Sequence, residues 1–461
     1  MSAIDFLVER FEQHREADAI VWNATVCSYQ QLLELLSRYR AFLETEQIGG
    51  GTVVALEGDF SPHAIALLLA LIERNCIIVP LTASVRQKRA EFLEVALAEV
   101  LITVDESEKL EVTRLNGRRD HRLYDVVRQA AHPGLVVFSS GSTGKSKAAV
   151  HDFVPLLEKF RRRRKAFRTL TFLLFDHLGG LNTLLHTLSN GGCVIVTPAR
   201  TPDAVLETIE RFGVELLPTS PTFLNLMLLS EAYLRHDLSS LKLVTYGTEP
   251  MPESTLKKFC SLFPGVQMLQ TYGLSEIGVL RSKSKSSDSL WLKIGGDEFA
   301  TRVVDGLLQI KAPSAMLGYL NAPSPFTEDG WLITGDSVEV DGEYLKILGR
   351  KSELINVGGQ KVYPNEIEGV ILEMENVAEV LVYGERNAIM GTIVCAKVRL
   401  RDGENDASAF PSKLKQFCQS RMEPYKIPVR ILVEEKELST ERFKKGRVPQ
   451  VEAQAAGESR S

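Results

Sequence analysis

The sequence predicts an α/β protein with two parts: a large N-terminal domain of stacked, mostly parallel sheets with helices, and a small, mobile α+β domain after it. Up to about residue 350, short apolar runs bounded by turn residues alternate with helical stretches, the pattern of βαβ units. From Lys351 the texture changes to strands of alternating polarity with a helix among them. The length of 461 residues, 44% of them apolar, suffices for about three compact units or for one large and one small.

Along the chain, the strand-like runs are 52–56, 64–72, 76–79, 134–138, 193–197, 215–218 and 243–245. The longest, 64–72, is half the length of a membrane span. Leu157, Phe160 and Phe167 have helical spacing, so the run Arg161 to Lys165 reads as the solvated face of a helix. In the second domain, 378–383 and 391–400 read as strands and 412–422 as a helix. The domains are therefore placed at 1–350 and 351–450, and 451–461, small and polar, is expected to be a disordered tail.

The 54 Lys and Arg against 59 Asp and Glu leave a net charge of −5, too balanced to call for a nucleic acid or an acidic membrane as partner. Six cysteines, with no CxxC pair and no histidine at ligand spacing, read as reduced, buried thiols. The first residues are acidic and amphipathic rather than basic then apolar, so a cytoplasmic protein without a membrane span is expected, as a monomer or homodimer.

The most informative stretch runs from Leu135 to His151. A buried-strand pattern ends there in Ser139, Ser140, Gly141, Ser142, Thr143, Gly144, Lys145, Ser146 and Lys147. Glycines let backbone N–H groups approach an anion, hydroxyls donate further hydrogen bonds, and the lysines add charge, so the loop suits phosphate. It is not a P-loop: GxxxxGK[ST] ending at Gly144-Lys145-Ser146 needs Gly at 139, where this chain has Ser139.

The loop resembles the signature of the adenylate-forming superfamily, which includes acyl-CoA synthetases, aryl-acid ligases, luciferases and peptide-synthetase adenylation domains. Later segments are similar to that family's motifs in its order: Thr271 to Glu276 (TYGLSE), Gly306 to Asn321, Trp331 to Asp336 (WLITGD), Gly349 to Glu368 and Thr440 to Arg447. The resemblance implies an ATP- and Mg²⁺-dependent ligase that joins a small-molecule carboxylic acid to the thiol of CoA or of a carrier protein's phosphopantetheine, the carrier acting in trans. Ser139, Ser140, Gly141, Ser142, Thr143, Gly144 and Lys147 would hold the β- and γ-phosphates. Glu276 would hold Mg²⁺, with Ser275 on the α-phosphate. Tyr272, between Thr271 and Gly273, would stack on adenine beside the backbone of Gly247, Thr248 and Glu249. Asp336 would accept the ribose hydroxyls and Arg350 would approach the same sugar.

By the same resemblance Lys444 would bridge the carboxylate and α-phosphate oxygens; Phe443 replaces the usual preceding glycine, and Lys445 is the alternative lysine. Ser352 takes the hinge position, and Gly358 and Gly359 would pass the pantetheine arm. In the acyl pocket His177 would gate the carboxylate site, whereas a two-residue shift makes Asp176 the partner of a substrate ammonium. Leu178, Gly180, Thr222 and Tyr246 would line a pocket for a medium or aromatic acyl group. Alternatives are a stand-alone amino-acid-activating enzyme and a nucleotide-binding relative that has lost turnover.

Overall fold

The computed structural model describes residues 2–115, 120–140, 146–296, 299–387, 391–401 and 408–438. Gly141, Ser142, Thr143, Gly144 and Lys145 of the phosphate loop, Phe443, Lys444 and Lys445 of the lysine motif, and 451–461 lie outside the described residues.

Two seven-stranded sheets organise the larger part. In the first, Val100–Val104, Val53–Glu57, Ile77–Leu81 and Gly134–Ser140 are neighbours and parallel, with antiparallel strands on both sides. Val53–Glu57 and Ile77–Leu81 are buried along their whole length, which is why they read as continuous apolar runs. The second sheet has six parallel strands in the order Gln267–Gln270, Leu243–Tyr246, Leu216–Thr219, Arg168–Leu170, Cys193–Ile195 and Asp18–Trp22, closed by antiparallel Thr25–Ser28. One apolar core joins Val54, Leu56 and Ile78 of the first sheet to Ile20 and Val194 of the second.

The run 64–72 is not a strand but the centre of the helix Pro62–Glu73. Ser61 caps it by accepting from Ala64 N at 3.2 Å, and Pro62 opens it. It is buried all round within that core, so it carries no polar face by which its helical period would show. The helix expected through Arg161 to Lys165 is also corrected: it is Phe153–Glu158 and stops short of the charge run. Buried Arg10 donates to the carbonyls of Phe160 (2.7 Å), Arg161 and Ser189, which holds the chain in a turn. The run itself is solvated, as expected.

A third sheet was not signalled in the sequence. Six antiparallel strands, Ser282–Ser284, Trp291–Ile294, Tyr344–Arg350, Leu332–Asp341, Leu307–Lys311 and Ala300–Val304, close the larger part. After the short turn Lys351–Glu353 come the hairpin Ile355–Val357/Gln360–Val362 and the helix Pro364–Ile371. The strands Val377–Asn387, Gly391–Leu400 and Arg430–Val433 follow, with the helix Phe410–Gln419 packed on them. That helix begins before 412 because Pro411 fits its first turn, and it ends at Gln419 rather than 422. All six cysteines are free; five are buried and Cys260 is half-buried. Among the described residues no helix is long and apolar enough to cross a membrane, and no cluster of metal-ligating side chains occurs.

Candidate active site

The phosphate-loop strand Gly134–Ser140 returns as Ser146–Asp152, with Ser139 opposite Lys147 and Ser140 opposite Ser146. Asn321 clamps this return: its Nδ2 donates to Ser146 O (2.9 Å) and its Oδ1 accepts from Ala148 N (3.0 Å). Lys147 Nζ lies 5.4 Å from the centroid of the Tyr319 ring.

Further along the same strand, fully buried His151 donates from Nε2 to the carbonyl of Ser275 at 2.7 Å. Burial pushes the His151 pKa down, against the pull of the Ser275 carbonyl and of Glu276, so the ring is neutral near pH 7. The next residue, Glu276, accepts from the Tyr319 hydroxyl at Oε1, and its carbonyl accepts from Met316 N at 2.7 Å. Burial and the adjacent Glu276 charge hold the Tyr319 phenol well above its ordinary range. Lys147, Ser275 and Glu276, far apart in sequence, are thus tied together through His151, Tyr319 and Asn321. Those three ties were not assigned from the sequence: His151 stands in the quoted loop and Tyr319 and Asn321 in the 306–321 segment, without a spacing that reveals a contact.

The ribose candidates meet in the same way. Asp336 and Arg350 are opposed across antiparallel strands. Arg350 Nε lies 2.9 Å from Asp336 Oδ1, and the Tyr272 hydroxyl donates to Oδ2 at 2.5 Å. Burial pushes the Asp336 carboxyl up, with Arg350 and the Tyr272 hydrogen bond opposing. Thr271 N donates to Tyr246 O at 2.7 Å, which seats the Thr271-Tyr272-Gly273 segment beside Gly247. Thr248 has φ +73°, a left-handed backbone that a β-branched residue adopts only under strain.

Glu249 does more than its sequence position implied. Its Oε1 accepts from Thr222 N (2.8 Å) and from the Thr222 hydroxyl, placing a carboxylate at the start of the helix Pro221–Ser230 where the helix dipole favours it. Buried Asp176 and half-buried His177 immediately precede the helix Leu178–Ser189. Gly180 sits so tightly in its first turn that a Cβ would fall 2.0 Å from Leu174 O. Tyr246, 1% exposed, lies within the apolar core of the second sheet.

Gly358 and Gly359 form the hairpin turn with φ +56° and +90°, and Gly359 N donates to Asn356 Oδ1 at 3.0 Å. A Cβ at either would meet nothing within 4 Å, so the turn conformation alone calls for glycine there. Ser352 lies exposed in the short turn that leaves Arg350.

Comparison with known families adds the identity. Residues 7–320 match the AMP-binding enzyme family and 366–444 match the AMP-binding enzyme C-terminal domain. The chain belongs to the AMP-binding enzyme family. An indoleacetate–CoA ligase of Aromatoleum aromaticum is 28% identical over 461 aligned residues, which cover 88% of this chain and 89% of that one. Acyl-CoA synthetase 7 of Caenorhabditis elegans is 33% identical over 288 residues, covering 55% of this chain and 53% of that one. The anthranilate CoA ligase AuaEII, solved with anthranoyl-AMP, superposes with a TM-score of 0.82 at 19% identity, covering 96% of this chain and 95% of that one. The o-succinylbenzoate CoA synthetase MenE of Bacillus subtilis, solved with its acyl-adenylate, gives 0.74 at 21% identity, with 96% of each covered. These folds agree with the expected α/β architecture and its large and small parts, and the adenylate-forming resemblance holds.

Proposed function

We infer that this protein is an AMP-forming acid:thiol ligase that activates a carboxylic acid with ATP and passes the acyl group to CoA. The convergence of Lys147, Ser275 and Glu276 beside the Tyr272–Asp336–Arg350 cluster carries this reading. It is supported by nearly full-length similarity to a CoA ligase. In the first half-reaction a carboxylate oxygen attacks the α-phosphorus of ATP, the bond to the β-phosphate bridging oxygen breaks, and pyrophosphate leaves with the electron pair. In the second, the thiolate sulfur attacks the acyl carbon and AMP leaves with the acyl–oxygen electron pair, while the thiol proton passes to solvent.

The chain's residues fit these demands. Ser139 and Lys147 flank the phosphates at the strand ends. Glu276 would hold Mg²⁺, a hard cation that prefers oxygen ligands and is commonly bound by one or two protein carboxylates, so a single carboxylate suits it. Bound Mg²⁺ would neutralise charge on the leaving pyrophosphate. Asp336 would exchange its Tyr272 and Arg350 contacts for the ribose hydroxyls. Lys444 would bridge the carboxylate and α-phosphate oxygens, where negative charge accumulates in the transition state. Turning at Ser352 would then bring the 355–362 hairpin toward the adenylate for transfer.

The test is pyrophosphate release from the purified full chain with Mg-ATP across aryl, fatty and amino acids, with and without CoA. Release with an acid, and acyl-CoA formed only when CoA is present, is expected. A strict need for an α-amino group would move the reading to amino-acid activation through Asp176. Failure of CoA, with success of a phosphopantetheinylated carrier protein, would change the acceptor. ATP binding without pyrophosphate from any acid would refute the ligase.

A further inference from the structure

The parallel strands Val53–Glu57, Ile77–Leu81 and Gly134–Ser140 are neighbours in the first sheet, and the loops that follow them leave from one edge, the end at which parallel sheets hold their ligands. The phosphate loop follows the third of these strands. After the second, the chain runs through the 3₁₀ turn Ala83–Lys88 into the helix Arg89–Val95. Lys88, the last residue of that turn, reaches across to the phosphate loop: its Nζ lies 3.4 Å from the Ser146 hydroxyl, where the loop returns to the sheet.

Two contacts fix the segment that carries it. Phe92, four residues on, stacks on Phe138 with ring centroids 3.8 Å apart and planes 3° from parallel, and Phe138 immediately precedes Ser139. Arg89 ties the same turn to buried Glu57 at the end of its strand, Nη1 to Oε2 at 3.0 Å. Lys88 therefore springs from backbone pinned to two of the three strand ends. Its charge is left over. Arg89 takes Glu57, and among the described residues no carboxylate forms an ion pair with Lys88, although Glu91 and Glu94 follow on the helix. An ammonium whose partner is a neutral hydroxyl gains little from it, whereas beside a chain of phosphates it meets several anionic oxygens. Ser146 and Lys147 are successive on one strand and face opposite sides of it. Lys147 stands on the side of Tyr319 and Glu276, and Lys88 approaches on the other, so two lysines from separate segments bring charge to the root of the loop from both faces.

We propose that Lys88 is a further nucleotide-binding residue, donating from Nζ to non-bridging oxygens of the β- and γ-phosphates, the part of ATP that departs as pyrophosphate. This rests on the ligase reading and deepens it. Charge then reaches the polyphosphate from outside the phosphate loop, and AMP, which lacks that part, does not feel it.

The experiment measures binding of ATP and of pyrophosphate, each with Mg²⁺, and of AMP to the full chain by titration calorimetry, in the wild type, Lys88→Gln and Lys88→Arg. Lys88 is exposed, so neither change disturbs the core. Lys88→Gln should weaken ATP and pyrophosphate at least about fivefold and AMP by less than about twofold, and Lys88→Arg should recover most of the loss. The difference between wild type and Lys88→Gln should also shrink as salt is raised, because the ammonium is open to solvent. Equal weakening of ATP and AMP would make Lys88 a prop for the loop and overturn the proposal; unchanged ATP and pyrophosphate binding would overturn it as well. Pyrophosphate release with an acid tests the ligase separately. If no acid releases pyrophosphate while the ATP-selective loss persists, the ligase is refuted and Lys88 keeps its polyphosphate contact; a wild type that binds no ATP overturns both.

Discussion

Replacing Asp336 by Asn separates the nucleotide role of this carboxylate from its place in the fold. Asp336 is 6% exposed, with Oδ1 2.9 Å from Arg350 Nε and Oδ2 accepting the Tyr272 phenol at 2.5 Å. Asn keeps the shape but turns one acceptor into a donor, so one charge-assisted contact to a ribose hydroxyl is lost. Such a bond contributes about 1.5–3 kcal/mol, which predicts ATP binding weakened about 10- to 140-fold. Stability of the free protein should move the other way. Burial raises the Asp336 carboxyl above its unfolded value, so the stability it contributes is full below the unfolded value of 3.8 and is lost as pH rises through the folded value. At pH 7 the neutral Asn escapes that loss, and Arg350, half exposed, is relieved by solvent. Titration calorimetry with ATP and thermal unfolding without it measure both effects. ATP affinity within about twofold of wild type, or a fall in affinity matched by a lower melting temperature, would refute the ribose assignment. Tyr272→Phe removes the phenol that donates to the same carboxylate, so the two changes should be non-additive by about 0.5–3 kcal/mol.

Lys444→Ala should nearly abolish acyl-adenylate formation while leaving transfer from a supplied acyl-adenylate largely intact; an active Lys444→Ala with an inactive Lys445→Ala would reassign the role to Lys445. Glu276→Gln should raise the Mg²⁺ concentration for half-maximal pyrophosphate release, and an unchanged requirement would remove Glu276 from the metal site. His151 has a lowered pKa, so its stability contribution is present above its unfolded value of 6.5 and is lost as pH falls through the folded value. His151→Asn should therefore flatten the acid-side fall in melting temperature, with half-buried His186, pushed down to about 4, left as the internal control. Thr248→Gly should relieve about 1 kcal/mol of backbone strain and raise the melting temperature, at the expense of the KM for the acid.

The sequence carried those parallel strands that are apolar along their length and bounded by turns, such as Val53–Glu57 and Ile77–Leu81, and missed Asp18–Trp22, Val100–Val104, Arg168–Leu170 and Gln267–Gln270, of which Arg168–Leu170 and Gln267–Gln270 carry polar residues at their ends. It failed at Pro62–Glu73 for the related reason that a helix buried on every side has no polar face and reads like a strand. The antiparallel sheet between 282 and 350 was silent: strands such as Ala300–Val304 are mostly exposed and lack an apolar run. The ordered motifs named Tyr272, Ser275, Glu276, Asp336 and Arg350 as a group, and in the structure Tyr272 and Arg350 meet at Asp336 while His151 and Tyr319 hold Ser275 and Glu276. What they left out are contacts over long separations. His151 to Ser275, Asn321 to the phosphate-loop return and Glu249 to the start of the helix Pro221–Ser230 depend on how sheets meet, and no local spacing encodes that.

The same meeting of sheets gives the third sheet a purpose beyond closure. Leu332–Asp341 brings Asp336, and its partner Tyr344–Arg350 brings Arg350, to the buried Tyr272. The second of these strands then runs straight into the turn Lys351–Glu353 that leads to the small part. A ligand that competes with Arg350 for Asp336 therefore acts on the residue just before the proposed hinge. On the ligase reading, binding and release of the ribose bias the position of the small part through Arg350 and through Glu353 of the turn, whose charge acts on both Asp336 and Arg350. Arg350→Lys keeps the charge but loses the guanidinium's second donor geometry. It should thus lower the rate of acyl transfer more than it lowers ATP affinity, as read by single-turnover kinetics of the two half-reactions. Equal losses in both would place Arg350 in nucleotide binding only.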